Sequence, residues 1–137
     1  MKVQKIDIWM GEIRDEKGGL ASGLAPLVAA GVDFSFVIGT RGAEKPGAGT
    51  VYFGGLRGAK QAKAADLAGF VKSTDAHGLR VVARDQPRLL HRLTSELAAA
   101  GINLRSVTAS VIKSRCVMIF AFDAEADRDK AAELLDK

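Results

Sequence analysis

At residues 14–20 the chain reads Arg14-Asp15-Glu16-Lys17-Gly18-Gly19-Leu20, and at residues 29–33 it reads Ala29-Ala30-Gly31-Val32-Asp33. The same pattern recurs 70 positions later as Arg84-Asp85-Gln86-Pro87-Arg88-Leu89-Leu90 and Ala99-Ala100-Gly101-Ile102-Asn103. Residues 14–38 align with residues 84–108 without a gap, and residues 63–67 align with residues 130–134 at an offset of 67. A unit of about 65–70 residues is therefore used twice.

Each copy begins with a predicted strand and a predicted helix. The strand residues alternate between apolar and polar side chains, as in Ile6, Ile8, Met10 and Ile13 of the first copy and Leu79, Val81 and Ala83 of the second. Asp15 and Asp85 stand where a helix N-cap belongs. Leucines at helical spacing follow and continue towards Gly31 and Gly101, which are predicted to end the helices.

Each copy continues with a predicted hairpin and a second helix. Runs of β-branched and aromatic residues at 32–38 and 50–53, and at 102–112 and 117–122, predict the hairpins. Stretches rich in alanine and lysine or charged residues, around 59–69 and 125–136, predict the closing helices. Phe70-Val71-Lys72 supplies a fourth strand to the first copy.

This order of elements predicts an α+β fold made of two ferredoxin-like βαββαβ repeats, with helices on one face of each antiparallel sheet. The predicted domains are residues 1–75 and residues 76–137. The second copy stops after its second helix, so its last strand is either missing or replaced by the N-terminal segment. A single copy of this size buries little surface, so we expect the two copies to pack side by side.

Composition places the chain among globular proteins. Its 137 residues are 47% hydrophobic and 26% charged, and no apolar run is long enough for a membrane span or a signal peptide. The net charge of +4 is spread along the chain, which attracts anionic small molecules as readily as nucleic acid. The single cysteine, Cys116, lies in an apolar stretch, which predicts a buried thiol and a cytoplasmic protein.

Motifs that carry chemistry are not found. The two histidines and Cys116 lack the spacing of metal ligands, so no metal site is predicted. Residues 42–47 begin like a phosphate-binding loop, but Ala48-Gly49 stand where lysine and a hydroxyl residue are required, and we interpret the segment as a hairpin loop. No serine has the context of a nucleophile. The sequence therefore predicts no catalytic residue, no cofactor and no enzymatic activity.

The two turns and the helix ends that follow them resemble the motifs of the ACT domain family, and the resemblance covers nearly the whole chain as two tandem copies. ACT domains are small regulatory modules that pair side by side into an eight-stranded sheet. They bind amino acids or other small effectors between paired domains. The resemblance therefore implies a regulatory amino-acid-binding protein, a homodimer, and a separate enzyme or regulator as partner.

In the family, the ligand contacts come from the strand–helix turn of one copy and the start of the second strand of its neighbour. Carried onto this chain, the ligand-binding candidates are Asp15, Gly18, Gly19 and Leu20 with Asn103, and Asp85, Gln86 and Leu89 with Asp33. The turn amides would take the ligand carboxylate, and Asn103 or Asp33 its ammonium group. Lys17 replaces the family's usual proline and Arg88 its usual glycine, so the first turn is the stronger candidate.

Two other functions stay open. The chain could be a ligand-free assembly module that uses its sheet edges and the loop at residues 39–49 as contact surfaces. It could also bind nucleic acid through its cations, namely Arg57, Lys60, Lys63, Arg80, Arg84, Arg88 and Arg92. The aromatic residues cluster at 34, 36, 52 and 53 and do not form the base-stacking set of an RNA-binding sheet, which disfavours the nucleic-acid function.

Overall fold

The structure is a computed structural model that describes residues 1–42 and 45–136. The chain divides into two compact units. The first unit is Asp7–Ser73, and the second consists of Met1–Ile6 together with the chain from Thr74 onward. Two residues of the predicted hairpin loop, Ala43 and Glu44, lie outside the described residues, as does Lys137.

Within the described residues the chain forms two four-stranded antiparallel sheets and four helices. In chain order the elements are β1 (Lys2–Ile6), β2 (Trp9–Arg14), α1 (Gly19–Ala29), β3 (Phe36–Arg41), β4 (Ala48–Gly54), α2 (Gly58–Leu67), β5 (Val71–Lys72), β6 (His77–Arg84), α3 (Leu89–Ala99), β7 (Ser106–Ile112), β8 (Arg115–Phe122) and α4 (Glu125–Leu135). The sheet of the first unit has the order β3-β4-β2-β5, and that of the second has β1-β6-β8-β7. The predicted α+β class and βαββαβ arrangement are confirmed.

The predicted first strand is wrong in one respect, because it consists of two strands in different sheets. β1 pairs with β6, from Lys2 opposite Val82 to Ile6 opposite Gly78, whereas β2 pairs with β4 and β5 of the first unit. A period of two cannot reveal this break, since the alternation continues across it. The alternative that the N-terminal segment supplies the last strand of the second copy is confirmed. The predicted range 1–75 thus includes six residues that the structure assigns to the second unit.

Two side chains attach β1 to the second unit. Val3 packs against that unit's buried core, and Lys5 forms an ion pair of 2.8 Å with Asp129 of α4. The hydrogen bond from Lys5, reinforced by Arg128, holds the pKa of the Asp129 carboxyl below its usual value. β1 is therefore joined to its sheet by backbone hydrogen bonds and to α4 through its side chains.

The two units have separate apolar cores. In the first, the ring of Phe53 makes edge-to-face contacts with Phe34 and Phe70, at centroid distances of 5.6 and 5.1 Å. In the second, the leucines of α3 pack on the inward-facing residues of β6 and β8. Cys116 belongs to this core as a free thiol, and burial, with a smaller contribution from the charge of Asp85, raises its pKa. The prediction of a buried cysteine is confirmed.

The helix starts differ from the prediction. The N-caps of α1 and α3 are Gly18 and Arg88, in the left-handed region at φ 77° and 68°, and neither helix has a side-chain capping hydrogen bond. The helices begin four residues after Asp15 and Asp85, and an N-cap must directly precede the first helical residue. The predicted capping role of the two aspartates is therefore wrong. The glycines that follow the helices, at φ 82° and 77°, confirm the predicted ends.

Candidate functional site

The turn between β2 and α1 is held by backbone hydrogen bonds. Arg14, the last residue of β2, lies opposite Ala48 of β4. The next amide, that of Asp15, donates to the carbonyl oxygen of Gly47 at 3.0 Å. The amide of Gly19 then donates to the carbonyl oxygen of Glu16 at 3.0 Å, which closes the turn at the first residue of α1. The turn is therefore fixed to the β3–β4 hairpin on one side and to the helix on the other.

Gly19 is required by the close approach of α1 to the end of β2. A Cβ atom at this position would lie 2.0 Å from the carbonyl oxygen of Arg14, which is far inside any van der Waals contact. The neighbouring Gly18 has nothing within 4 Å of an added Cβ, and it is glycine because of its positive φ. The two predicted glycines therefore shape the turn for two different reasons.

Beside this turn lies a groove of about 290 Å³. Its lining residues come from the end of β2, the turn, the start of α1 and the β3–β4 hairpin: Ile13, Arg14, Asp15, Glu16, Leu20, Gly39, Thr40, Arg41 and Gly49. Two guanidinium groups and two carboxylates line it, with two apolar side chains. A ligand that carries both a positive and a negative charge would find an opposite charge for each.

The charged groups of the groove are already paired with one another. Arg41 donates from Nε to Oδ2 of Asp15 at 2.6 Å, and Arg14 lies 3.7 Å from Glu16. The side chains of Arg41 and Arg14 are largely exposed, and exposed ion pairs contribute no more than about 1 kcal/mol each. Exchanging such a pair for contacts with a charged ligand therefore costs little.

The structure separates the four predicted residues of the first turn into two groups. Asp15 and Leu20 line the groove, whereas Gly18 and Gly19 are not among its lining residues. Arg41 was not predicted as a site residue, because its segment was interpreted as a hairpin loop. The pairing of the strands could have indicated Arg41. β4 pairs with both β3 and β2, so the end of β3, which carries Arg41, lies near the turn that follows β2.

The turn between β6 and α3 has the same hydrogen-bonding plan and a different surface. The amide of Asp85 donates to the carbonyl oxygen of Ser114 at 2.8 Å, and α3 begins at Leu89, which is buried in the core. Gln86 and Leu89 line a groove of about 550 Å³ along α3, together with Arg88, while exposed Asp85 is not among its lining residues. Here the groove has arginine where the first turn has glycine.

Asp33 and Asn103 are exposed and precede β3 and β7, respectively. In each predicted set they belong to a different unit from the turn with which they were combined. Their proposed contact with the ammonium group of a ligand stays a prediction.

Among residues 1–42 and 45–136, no group of three or more histidine, cysteine, aspartate or glutamate side chains could hold a metal ion. No helix in that part of the chain is long and apolar enough to cross a membrane.

Comparison with known proteins gives a family match for the second repeat and a fold shared with solved structures. Residues 77–137 match the model of the ACT domain family, and no curated protein sequence matches the chain. A structure from Bacteroides thetaiotaomicron has a TM-score of 0.76 at 15% identity, covering 98% of this chain and 88% of that one. The ligand-free regulatory subunit of aspartate kinase from Thermus thermophilus has a TM-score of 0.67 at 16% identity, covering 98% and 93%.

The regulatory subunit of aspartate kinase from Thermus flavus is similar as well, with a TM-score of 0.63 at 14% identity over 99% of this chain and 96% of that one. At these identities the likeness extends to the fold. The family match covers the second repeat, and the first repeat has the same order of helices and strands in the structure. Residues 77–137 therefore match the ACT domain family, and the unit before them has the same order of helices and strands.

Proposed function

We propose that this chain is a regulatory module that binds an amino acid, or a related small effector that carries a positive and a negative charge, in the groove beside the β2–α1 turn. The observation that supports this proposal most strongly is the ion pair between Arg41 and Asp15 in that groove, at the turn where the family places its ligands. The effector carboxylate would pair with Arg41 or Arg14, and its ammonium group with Asp15 or Glu16. Leu20 would contact its side chain.

The size and charge of the groove support this ligand class. A volume of about 290 Å³ lies at the lower end of small-molecule pockets, which suits one amino acid better than a larger metabolite. Its two carboxylates balance its two guanidinium groups, so a zwitterion gains an opposite charge at each end without leaving one unpaired. Asn103 stays a candidate for contact with the ammonium group of the ligand, as the family resemblance implies.

Solved structures of the same fold support a regulatory role, since they include regulatory subunits of aspartate kinase. Effector binding would then act on a separate enzyme or regulator, with a coupling free energy of about 1–3 kcal/mol, typical of allosteric pairs.

We expect one amino acid or a small group of related ones to raise the melting temperature of the chain. A ligand at 100 times its Kd stabilises the native state by about 2.7 kcal/mol, equivalent to several degrees in a protein of this size. The measurement is a thermal melt against the twenty amino acids, followed by titration of any that stabilise. A flat panel would contradict the proposed ligand class.

The variant Leu20→Trp tests the location of this site. Leu20 is 40% exposed and lines the groove, so an indole there would fill the groove without disturbing the core, and the stabilisation should be lost. Val28→Trp is the matched control, because Val28 is 62% exposed on the same helix and does not line the groove. Equal loss in both variants, or retention in Leu20→Trp, would place the ligand elsewhere.

A second candidate function, assembly with another copy, is favoured by the edge strand β7. All seven of its residues are exposed, and its sequence, Ser106-Val107-Thr108-Ala109-Ser110-Val111-Ile112, contains neither a charge nor a proline. Edge strands of proteins that remain monomeric are usually protected by such residues. Backbone pairing of two β7 strands would form a continuous sheet and a homodimer.

We expect Val111→Lys to convert such a dimer into a monomer. Val111 is 55% exposed on the edge strand. A lysine there would repel the same lysine of the second copy, while its aliphatic part would still cover the sheet. Sedimentation of the wild type and the variant at several concentrations measures the effect. Leu67→Lys, at an 80% exposed position of α2, is the control. A wild type that sediments as a monomer at all concentrations would exclude the assembly.

A further inference from the structure

One end of the second unit carries five cations that form no ion pair with any described residue. This basic cluster consists of Arg84, Arg88, Arg92, Lys113 and Arg115. Arg84 and Arg115 are direct cross-strand partners at the ends of β6 and β8, and both are exposed. Like charges directly opposite one another destabilise a sheet. The arrangement therefore has an electrostatic cost that no ion pair among the described residues offsets, although the exposed carboxylate of Asp85 lies in the adjoining turn.

The rest of the cluster is brought to the same place by the two turns. The hydrogen bond from the Asp85 amide to the Ser114 carbonyl joins the β6–α3 turn to the β7–β8 turn, which carries Lys113. Arg88 is the N-cap of α3, and Arg92 follows one helical turn later. Both arginines line the groove of about 550 Å³, together with His91 and one carboxylate, that of Glu96. The cluster thus adjoins a groove large enough for a small molecule.

The first unit shows that this charge is not required by the fold. Arg14, the counterpart of Arg84, lies opposite Ala48, where the second unit has Arg115 opposite Arg84. In the repeat alignment Gly18 stands in place of Arg88, and Ser22 in place of Arg92. Arg14 is also close to Glu16, whose counterpart in the second unit is Gln86.

We propose that the basic cluster and its groove bind a small phosphate-bearing ligand. Guanidinium groups present two parallel N–H donors that match phosphate oxygens, and several arginines together favour a dianion over a singly charged carboxylate. A bound phosphate would also neutralise the repulsion between Arg84 and Arg115. This site is separate from the amino-acid groove of the first unit, and it takes a ligand of different charge.

Pyrophosphate at low ionic strength is the first probe. Added to the full chain, it should raise the melting temperature of the second unit by about 5 °C at 100 times its Kd. Arg115→Ala and Arg88→Gly reproduce the residues of the first unit, and Arg88→Gly also relieves a positive φ, so both variants are expected to fold. Each should weaken pyrophosphate binding at least about tenfold. Arg14→Gln, the matched change in the first unit, should leave it unchanged.

A second readout concerns the unliganded protein. Without phosphate and at low salt, Arg115→Ala should melt at a higher temperature than the wild type, because it removes the repulsion with Arg84. The difference should disappear at high salt, and pyrophosphate should shrink or reverse it because it binds the wild type more tightly and so stabilises it more. A lower melting temperature for this variant under all conditions would contradict the proposed electrostatic strain.

Further probes distinguish the sources of the phosphate. Tighter binding of a nucleotide than of pyrophosphate indicates that the groove beside α3 contacts the rest of the ligand, whereas equal binding indicates an inorganic phosphate site. Three results would overturn the proposal: no binding by either probe, equal stabilisation by potassium chloride at matched ionic strength, or much tighter binding of a single-stranded oligonucleotide. The rise in melting temperature caused by an amino acid should be the same in Arg115→Ala as in the wild type. The amino-acid groove of the first unit is thereby tested separately, so the two proposals can fail independently.

Discussion

Replacing Gly19 by alanine should lower the free energy of unfolding of the first unit by about 3 kcal/mol or more. The added Cβ would lie 2.0 Å from the carbonyl oxygen of Arg14, so either α1 must move away from the sheet or the end of β2 must distort. The contact is with backbone, and no side-chain rotation can relieve it. The cost therefore exceeds that of an ordinary overpacked side chain.

Unfolding in urea, followed by the fluorescence of Trp9, measures this effect. Trp9 is the single tryptophan of the chain and is buried in the first unit. Gly39→Ala is the matched control, since an added Cβ there meets nothing within 4 Å and the residue has no positive φ. The control should unfold as the wild type does. A Gly19→Ala chain with wild-type stability would show that the start of α1 is less closely packed than the structure indicates.

The same contact explains why the two turns differ although the repeats align. Leu89 occupies the position of Gly19, and its side chain enters the core of the second unit. The helix start in the first unit instead lies against the end of β2, and Leu20 is left 40% exposed beside the groove. The two turns therefore differ at the first residue of the helix, where the second unit has a buried leucine and the first has a glycine followed by a partly exposed leucine.

The sequence predicted the repeated fold well because periodicity and repetition carry that information. The repeat offset located both turns, and the glycines after α1 and α3 marked the helix ends in both copies. Local patterns failed where tertiary contacts decide. Asp15 matches an N-cap by residue type, yet it accepts a hydrogen bond from Arg41, 26 positions away in the sequence. No local rule predicts a partner at that distance.

The candidate site was predicted in part for the same reason. Asp15 and Leu20 were found because they lie within the repeated motif, and Arg41 was missed because it reaches the groove through pairing of β3, β4 and β2. The basic cluster required both sources of information. The repeat alignment shows that its charges are absent from the first copy, and the strand register shows that Arg84 and Arg115 face one another.

Removing Met1–Ile6 should unfold the second unit while the first stays folded. The deletion takes away a whole edge strand, the packing of Val3 and the ion pair between Lys5 and Asp129. Such a loss is about 3–5 kcal/mol. A unit of this size is stable by only about 4–10 kcal/mol, so little would remain. The residues matched by the ACT family model would then be unable to form their complete sheet.

The chain contains one natural probe in each unit for this experiment. Cys116 is the single cysteine and is buried in the second unit, where burial raises its pKa and slows its reaction with thiol reagents. In the deletion variant it should react at pH 8 at least about tenfold faster than in the wild type. Trp9 should report a cooperative transition of the first unit in both chains. Lys2→Ala, an exposed change within β1, should leave both probes as in the wild type.

Either of two results would contradict the role assigned to β1. Continued protection of Cys116 in the deletion variant would mean that residues 74–136 form a stable unit with three strands. Loss of the Trp9 transition would mean that β1 supports the first unit, against the pairing of Lys2–Ile6 with β6. The expected result, a reactive Cys116 beside an intact Trp9 transition, would establish that the first six residues complete a domain whose remainder begins some 70 positions later.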